Sequence, residues 1–296
     1  MKKILIIGTK HVGSKNDPMI ICDKLQSRGL LAKIIFWEDI TVSIVNNNVK
    51  LLVDNTDIIA DKPGLVMAFG WYKNGKKSIY RDLALAVALC LEKAGITYWN
   101  SEMGHQRSTT KLSTLVQLAL NDVPVPDTYF SIRAKKNTQI LSVPFIVKAT
   151  SASRGRSNYL IKSASDIAQI DFSENSFLFQ PFLPNDHDLR VICFGGQPTL
   201  ILKRSRQAGA DTHLNNTSQG GSAQWLELSS VNNELLTIAT KICKVTGREM
   251  AGIDFIPDAK SSFGYSCLEV NAIPQLTSGV DSDMKIEMLA NNLLEK

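Results

Sequence analysis

Within the first hundred residues, short apolar runs alternate with longer segments whose apolar residues recur at helical spacing, and this restricts the fold more than any other feature. "KKILIIG" closes at Gly8, and "DPMIICDKLQSRGL" follows with Pro18 near its start and Gly29 at its end. "LAKIIFWEDI" reads as a second strand, and "GLVMAFG" at 64–70 as a third. "RDLALAVALCLEKAGI" is a helix closed by Gly95, and "TYWN" is a short strand. A wholly apolar strand must be covered on both faces, so the alternation predicts a parallel sheet flanked by helices over residues 1–98.

From residue 105 the grammar changes. "STTKLSTLVQLALNDV" is a helix entered through Ser and Thr caps, and "PVPDTYFS" leads into strand-rich sequence. "VPFIVKA", "NYLIKS", "SFLFQPF" and "DLRVICFGGQPTLILKRS" follow, the last with Gly195-Gly196 at a hairpin turn. "NNELLTIATKICKVTG" is an amphipathic helix ended by Gly247; "MAGIDFIPD" and "GYSCLEVNAI" are two further strands, and a terminal helix closes the chain. The whole reads as α/β in the N-terminal part and α+β beyond it.

Several function classes are set aside by composition. A net charge of +5 over 296 residues is too small to argue for nucleic acid, and no basic run carries interleaved aromatics. No apolar stretch reaches the length of a membrane span. The N-terminal apolar run before Gly8 is too short for a signal peptide, so the expected location is cytoplasmic. Cys22, Cys90, Cys193, Cys243 and Cys267 are widely spaced in apolar surroundings, which predicts reduced thiols. His105 and His187 stand in no nucleophile pattern and read as loop or capping residues. The N-terminal strand and turn lack the GxGxxG spacing of a dinucleotide site.

Charge embedded in apolar strands is the more telling signal. Lys148 ends "PFIVK", Asp254 sits in "GIDF", and Glu269 and Asn271 lie in "LEVN". Each costs several kcal/mol if buried without a partner, and a structural ion pair explains any one of them alone. Glu269 and Asn271, at i and i+2, share a face of an extended strand and offer two oxygen donors suited to a hard cation. Lysine and Mg²⁺ together are what neutralises a triphosphate.

On these motifs, in this order along nearly the whole chain, the sequence resembles the ATP-grasp superfamily, and within it the RimK-type carboxylate–amine ligases. The resemblance implies an N-terminal α/β domain over 1–98, a small central domain over 99–183 and a C-terminal antiparallel-sheet domain over 184–296, with ATP between the last two. It implies that Lys111 and Lys148 reach the nucleotide, and that "FQPFL" (Gln180, Pro181, Phe182, Leu183) is the hinge read by the adenine. Asp188 falls near the nucleotide and Arg190 toward the reaction centre. Arg204 and Asn216 take catalytic positions, with Lys148 beside them. Asp254, Glu269 and Asn271 take those of the ligands for Mg²⁺ (or Mn²⁺), two ions in all. "ATSASRGRS", with Gly155, occupies the place of the loop that covers the phosphates.

The implied activity is ATP-dependent joining of a carboxylate to an amine through an acyl phosphate, with an amino acid or peptide as substrate and no nucleic acid or membrane partner. Homo-oligomer formation stays open. Leu214 stands where the family has a second arginine, with Arg206 or His213 as substitutes, and Gln275 where glycine is frequent. "WYKNGKKSIYRD" at 71–82 reads equally as an acidic-substrate loop, through its lysines and Arg81, and as a solvated one. A kinase or a non-ligating nucleotide-binding module on the same scaffold is the alternative.

Overall fold

A computed structural model describes residues 3–10, 17–69, 77–101, 110–133, 141–150, 157–173, 176–207, 209, 212–215 and 220–295. β1 (Lys3–Gly8), β2 (Leu31–Phe36), β6 (Leu65–Ala68) and β7 (Thr97–Trp99) form a parallel sheet in the order β2-β1-β6-β7. The parallel expectation holds because α1 (Pro18–Ser27) and α2 (Lys77–Lys93) supply the crossovers. Asp17 caps α1, its carboxylate accepting the Met19 N–H at 3.0 Å, and Pro18 occupies the first helical position, where no N–H is needed.

Gly8 has a packing reason rather than a phosphate-binding one. A Cβ at Gly8 would lie 2.6 Å from Pro18 Cβ, so the strand end and the helix start meet only without a side chain. Gly8→Ala is expected to cost about 1–3 kcal/mol, read as a lower urea midpoint at unchanged slope. An unchanged midpoint would show that the turn moves freely.

The second strand is shorter than its sequence suggested. It ends at Phe36, and Trp37–Asp39 form a single 3-10 turn that buries Trp37. Glu38 in that turn accepts the Lys10 N–H and the Tyr80 hydroxyl. A small antiparallel sheet absent from the sequence reading follows: β3 (Thr41–Val45), β4 (Asn48–Val53) and β5 (Thr56–Asp57). Its two turns run through Asn46-Asn47 and Asp54-Asn55, all four at positive φ, as two-residue hairpins require.

Two antiparallel sheets make up the rest. β8 (Phe145–Ala149), β9 (Asn158–Ile161) and β10 (Phe177–Pro181) form the smaller, in the order β10-β8-β9; short α4 (Ala164–Ala168), also unforeseen, lies between β9 and β10. β11 (His187–Phe194), β12 (Gln197–Ser205), β13 (Ser222–Leu226), β14 (Ala251–Pro257) and β15 (Tyr265–Asn271) form the larger, ordered β13-β12-β11-β14-β15. The Gly195-Gly196 turn is a hairpin with φ of 58° and 76°. α3 (Lys111–Ala119) and α5 (Asn233–Thr246) cover one face, and Gly247 ends α5 in the left-handed region. On the other face, Ile192, Phe194 and Met250 pack with Ile4, Ile6 and Met67 of the parallel sheet and with Ile286 and Leu289 of α6 (Ser282–Leu294). The rest of that face is left to a cleft. All five cysteines are free thiols, as expected. Among the described residues no helix is long and apolar enough to cross a membrane.

Candidate active site

Period-two alternation decides which side chains reach the cleft. On β8, Phe145, Val147 and Ala149 enter the core of the smaller sheet, so Ile146 and Lys148 face the opposite way and line the cleft. On β11, Leu189, Val191 and Cys193 pack inward with α5, which turns Asp188 and Arg190 to the other side. β14 repeats the pattern, with Ile253 and Phe255 in the core and Asp254 on the cleft.

The sheet register then brings the charges together. Asp188 stands opposite Arg204, Arg190 opposite Asp254, and Asp254 opposite Glu269, a chain across four neighbouring strands. Arg190 grips Asp254 with two bonds of 2.7 Å each. Arg204 donates to Asp188 at 2.5 Å and forms an ion pair with Asp254 at 3.2 Å. Burial pushes the Asp254 carboxyl up, but Arg190 and Arg204 outweigh it and hold the group below the ordinary carboxylate range. For Asp188 burial wins, and its carboxyl sits above the ordinary value despite Arg204.

Lys148 lies deep between the two sheets while keeping some solvent contact. Burial lowers its ammonium to about 8, with Glu269 pulling the other way and Lys111 adding to the fall. Lys111, the first residue of α3, donates to the Ala149 carbonyl at 3.3 Å and so sits at the top of β8. The hinge borders the cleft at Gln180, Pro181, Phe182 and Leu183. The Gln180 amide is itself tied to the Thr128 hydroxyl at 2.8 Å, and the Phe182 N–H is taken by the Pro144 carbonyl. Tyr129 exchanges backbone bonds with Phe179 along the opposite edge. Alternation therefore directs the Pro181 carbonyl and the Leu183 N–H to that edge.

Of the site residues singled out from the sequence, Lys111, Lys148, Gln180, Pro181, Phe182, Leu183, Asp188, Arg204, Asp254 and Glu269 line this one cleft; Arg190 does not, its guanidinium being held on Asp254. Asn271 lies outside its lining; its side-chain amide donates to the Gly252 carbonyl at 3.4 Å. Asn216 falls outside the described residues, as do His105, Gly155 with most of its loop, and the 71–76 part of the 71–82 segment. His187 begins β11 and bonds Asp186 at 2.5 Å, away from the cleft lining. His213 does line it, bonded to Asn158 at 3.1 Å, whereas Arg206 turns aside to the Thr212 carbonyl. Burial and the charges of Arg206 and Lys162 push the His213 imidazole down. Asn158 and Asn215, with its amide on Asn185 at 2.8 Å, are lining residues the sequence reading did not single out. Asn158 opens β9 and Asn215 lies in the loop after β12, and neither places a charge inside an apolar run.

The fit for a divalent ion is good in chemistry and incomplete in number. Asp254 and Glu269 present hard oxygen donors side by side, as Mg²⁺ prefers. Among the described residues no group of three or more His, Cys, Asp or Glu stands ready for a metal, so the remaining ligands must come from elsewhere.

Residues 108–296 match the model of the RimK-like ATP-grasp domain, well over half of the chain. The chain belongs to the RimK-like ATP-grasp family. Beta-citrylglutamate synthase B of Homo sapiens is 26% identical over 243 residues, covering 78% of this chain and 60% of that protein. A probable alpha-L-glutamate ligase of Trichodesmium erythraeum is 28% identical over 222 residues, covering 70% of this chain and 72% of its own length. Against beta-citrylglutamate synthase B from human, mouse and zebrafish, this RimK-like chain spans about half to three-fifths of the relative's length. Its fold is that of the ATP-grasp ligase PsnB, solved with a minimal precursor (TM-score 0.74, 17% identity, 100% of this chain and 99% of that one). The macrocyclase MdnC from Microcystis aeruginosa, bound to precursor peptide MdnA, superposes with a TM-score of 0.70 at 13% identity, over 99% of this chain and 100% of that one. Another PsnB structure holds minimal precursor, Mg and ADP.

Proposed function

We propose that the protein is an ATP-dependent carboxylate–amine ligase acting on an amino acid or a peptide. The observation that carries this reading is the convergence of Lys148, Arg204, Asp254 and Glu269 on one cleft bordered by the 180–183 hinge. The glutamate ligases and peptide-modifying enzymes among its relatives agree with it.

In this reading the adenine amine donates to the Pro181 carbonyl and a ring nitrogen accepts from Leu183 N–H. The missing N–H of Pro181 then costs nothing, because the pattern needs only its carbonyl. Lys111 and Lys148 hold the phosphates. Asp254 and Glu269 would hold one or two Mg²⁺ ions, with Asn271 reached only if its side chain turns, and the metal supplies neutralisation of the phosphate charge. A substrate carboxylate oxygen attacks the γ-phosphorus and ADP leaves; an amine then attacks the acyl carbon and phosphate leaves, forming the amide. Arg204 spends one of its five N–H donors on Asp188 and pairs in charge with Asp254. The remainder offset charge on the transferring phosphoryl group and the acyl phosphate.

The division at 1–98, 99–183 and 184–296 belongs to the same proposal, supported by the parallel, smaller antiparallel and larger antiparallel sheets following one another along the chain. The acid or amine would enter at the carboxyl ends of β1 and β6, where open α/β sheets bind ligands. There the Asp17 N–H donates to the Thr277 hydroxyl at 3.0 Å, joining the first turn to the loop that follows β15.

The deciding assay offers amino acids and short peptides pairwise with Mg·ATP and hydroxylamine. Hydroxamate and ADP are the expected products. A stable phosphorylated product without hydroxamate would replace the ligase with the kinase. A second expectation concerns protons. Lys148 titrates near 8 in the empty protein, facing Glu269, Lys111, Cys267 and Asp254, and phosphate binding favours its charged form. Nucleotide binding between about pH 7 and 9 should therefore take up protons, and affinity should fall as pH rises through that range. Calorimetry in buffers of different ionisation heat measures the uptake; none at all would remove Lys148 from the phosphate site.

A further inference from the structure

Asp254 is already engaged before any ligand arrives. Its Oδ1 accepts from Arg190 Nε at 2.7 Å and lies 3.2 Å from Arg204 Nη2 in an ion pair, and its Oδ2 accepts from Arg190 Nη2 at 2.7 Å. A carboxylate has about four lone-pair sites; Arg190 takes two, and the Arg204 cation stands against Oδ1, which leaves Oδ2 the more open oxygen. The chain Arg190–Asp254–Arg204–Asp188 is also closed in charge, two cations against two anions. Among the described residues of the cleft, Glu269 is the carboxylate left to attract a cation, and it faces Lys148. A divalent ion coming alone thus meets an electrically balanced cluster in which both oxygens of Asp254 are already engaged. One coming with a nucleotide brings phosphate oxygens for its other positions and the negative charge to offset its own.

We propose that Arg190 is the resident counter-cation of the metal carboxylate. It keeps Asp254 from taking a divalent ion alone and yields part of that carboxylate when ion and nucleotide enter together. The proposal rests on the nucleotide-site reading above. Arg190 is a positioning residue here: its target is Asp254, not the reacting atoms. Its planar fork matters, because a lysine supplies the same charge without the two-point grip. The geometry makes the competition direct. Both partners lie in register on neighbouring strands, so Arg190 cannot drift from Asp254 by side-chain motion alone without leaving a buried carboxylate with Arg204 as its one close arginine.

The test titrates the full chain with Mn²⁺, following free ion by its paramagnetic resonance signal, with and without ADP. The wild type should bind Mn²⁺ weakly alone and at least about tenfold more tightly with ADP. Arg190→Gln should gain nucleotide-independent Mn²⁺ binding by about tenfold or more, with the melting temperature rising as Mn²⁺ is added. Arg190→Lys should show a smaller gain, and it is read in the same way if the glutamine variant does not fold. Adding Glu269→Gln to either variant should abolish the gain, which places the ion between these carboxylates. Equal Mn²⁺ affinity of wild type and variant, or a gain that survives loss of Glu269, overturns the proposal. If the wild type fails to bind Mn²⁺ even with ADP, the nucleotide reading falls, while the comparison with Mn²⁺ alone still judges Arg190.

Discussion

Glu269→Gln is expected to leave the fold intact and to lower amide-forming turnover by about 10²-fold or more, the scale on which single transition-state electrostatic contacts are lost. Glu269 stands directly across the strand pair from Asp254, and like charges in that position oppose each other. Two arginines and Lys148 offset this in the empty protein. The amide removes one of the opposed charges, so thermal stability should hold or rise slightly. It also removes a charge and the bidentate option from a metal ligand, so the loss falls on catalysis. Turnover and melting temperature of the same preparation check both halves. Wild-type turnover would assign Glu269 to the fold.

Arg204→Met should have the largest effect on stability, about 3–5 kcal/mol, because it strands buried Asp188 and weakens the pairing of buried Asp254. Asp188 is only 6% exposed and takes its 2.5 Å bond from Arg204; Asp254 loses one of its two arginines. A single variant therefore mixes folding with chemistry. Asp188→Asn combined with Arg204→Met removes the stranded charge along with its partner, and should recover much of the stability. Hydroxamate formation should remain nearly absent in both variants if Arg204 acts on the transferring group. Chemical denaturation beside hydroxamate yield separates the two roles. Full hydroxamate yield in the stable double variant would make Arg204 structural.

How far the site could be read from sequence depended on whether each signal was local. Lys148, Asp254 and Glu269 stood out because a charged residue within an apolar strand is costly wherever that strand lies. The Gly195-Gly196 hairpin and the Gly247 helix end were legible for the same kind of reason: both need a left-handed backbone that glycine adopts freely. The small sheet of β3, β4 and β5 escaped notice although Asn46-Asn47 and Asp54-Asn55 announced its turns. Its strands leave Ile44 and Val45 exposed, 70% and 61%, so the in–out alternation that marks a half-buried strand is missing. Asn271 shared a face with Glu269 by spacing, yet only the cleft's extent shows that its amide stops at the Gly252 carbonyl.

By itself the sequence determined the order of the main strands and helices, several of the turns that join them, and which residues carry charge within the central strands. Those follow from backbone sterics and from period-two and helical spacing, which act within a few residues. The pairing of that charge was decided only by tertiary structure. Arg190 reads from sequence as a residue aimed at the reaction centre, and its bidentate hold on Asp254 exists because β11 and β14 align those two positions. Likewise His213 rather than Arg206 reaches the cleft, since Arg206 satisfies the Thr212 carbonyl. Strand register joins residues 64 positions apart, and no local propensity specifies it; burial of one whole sheet face does.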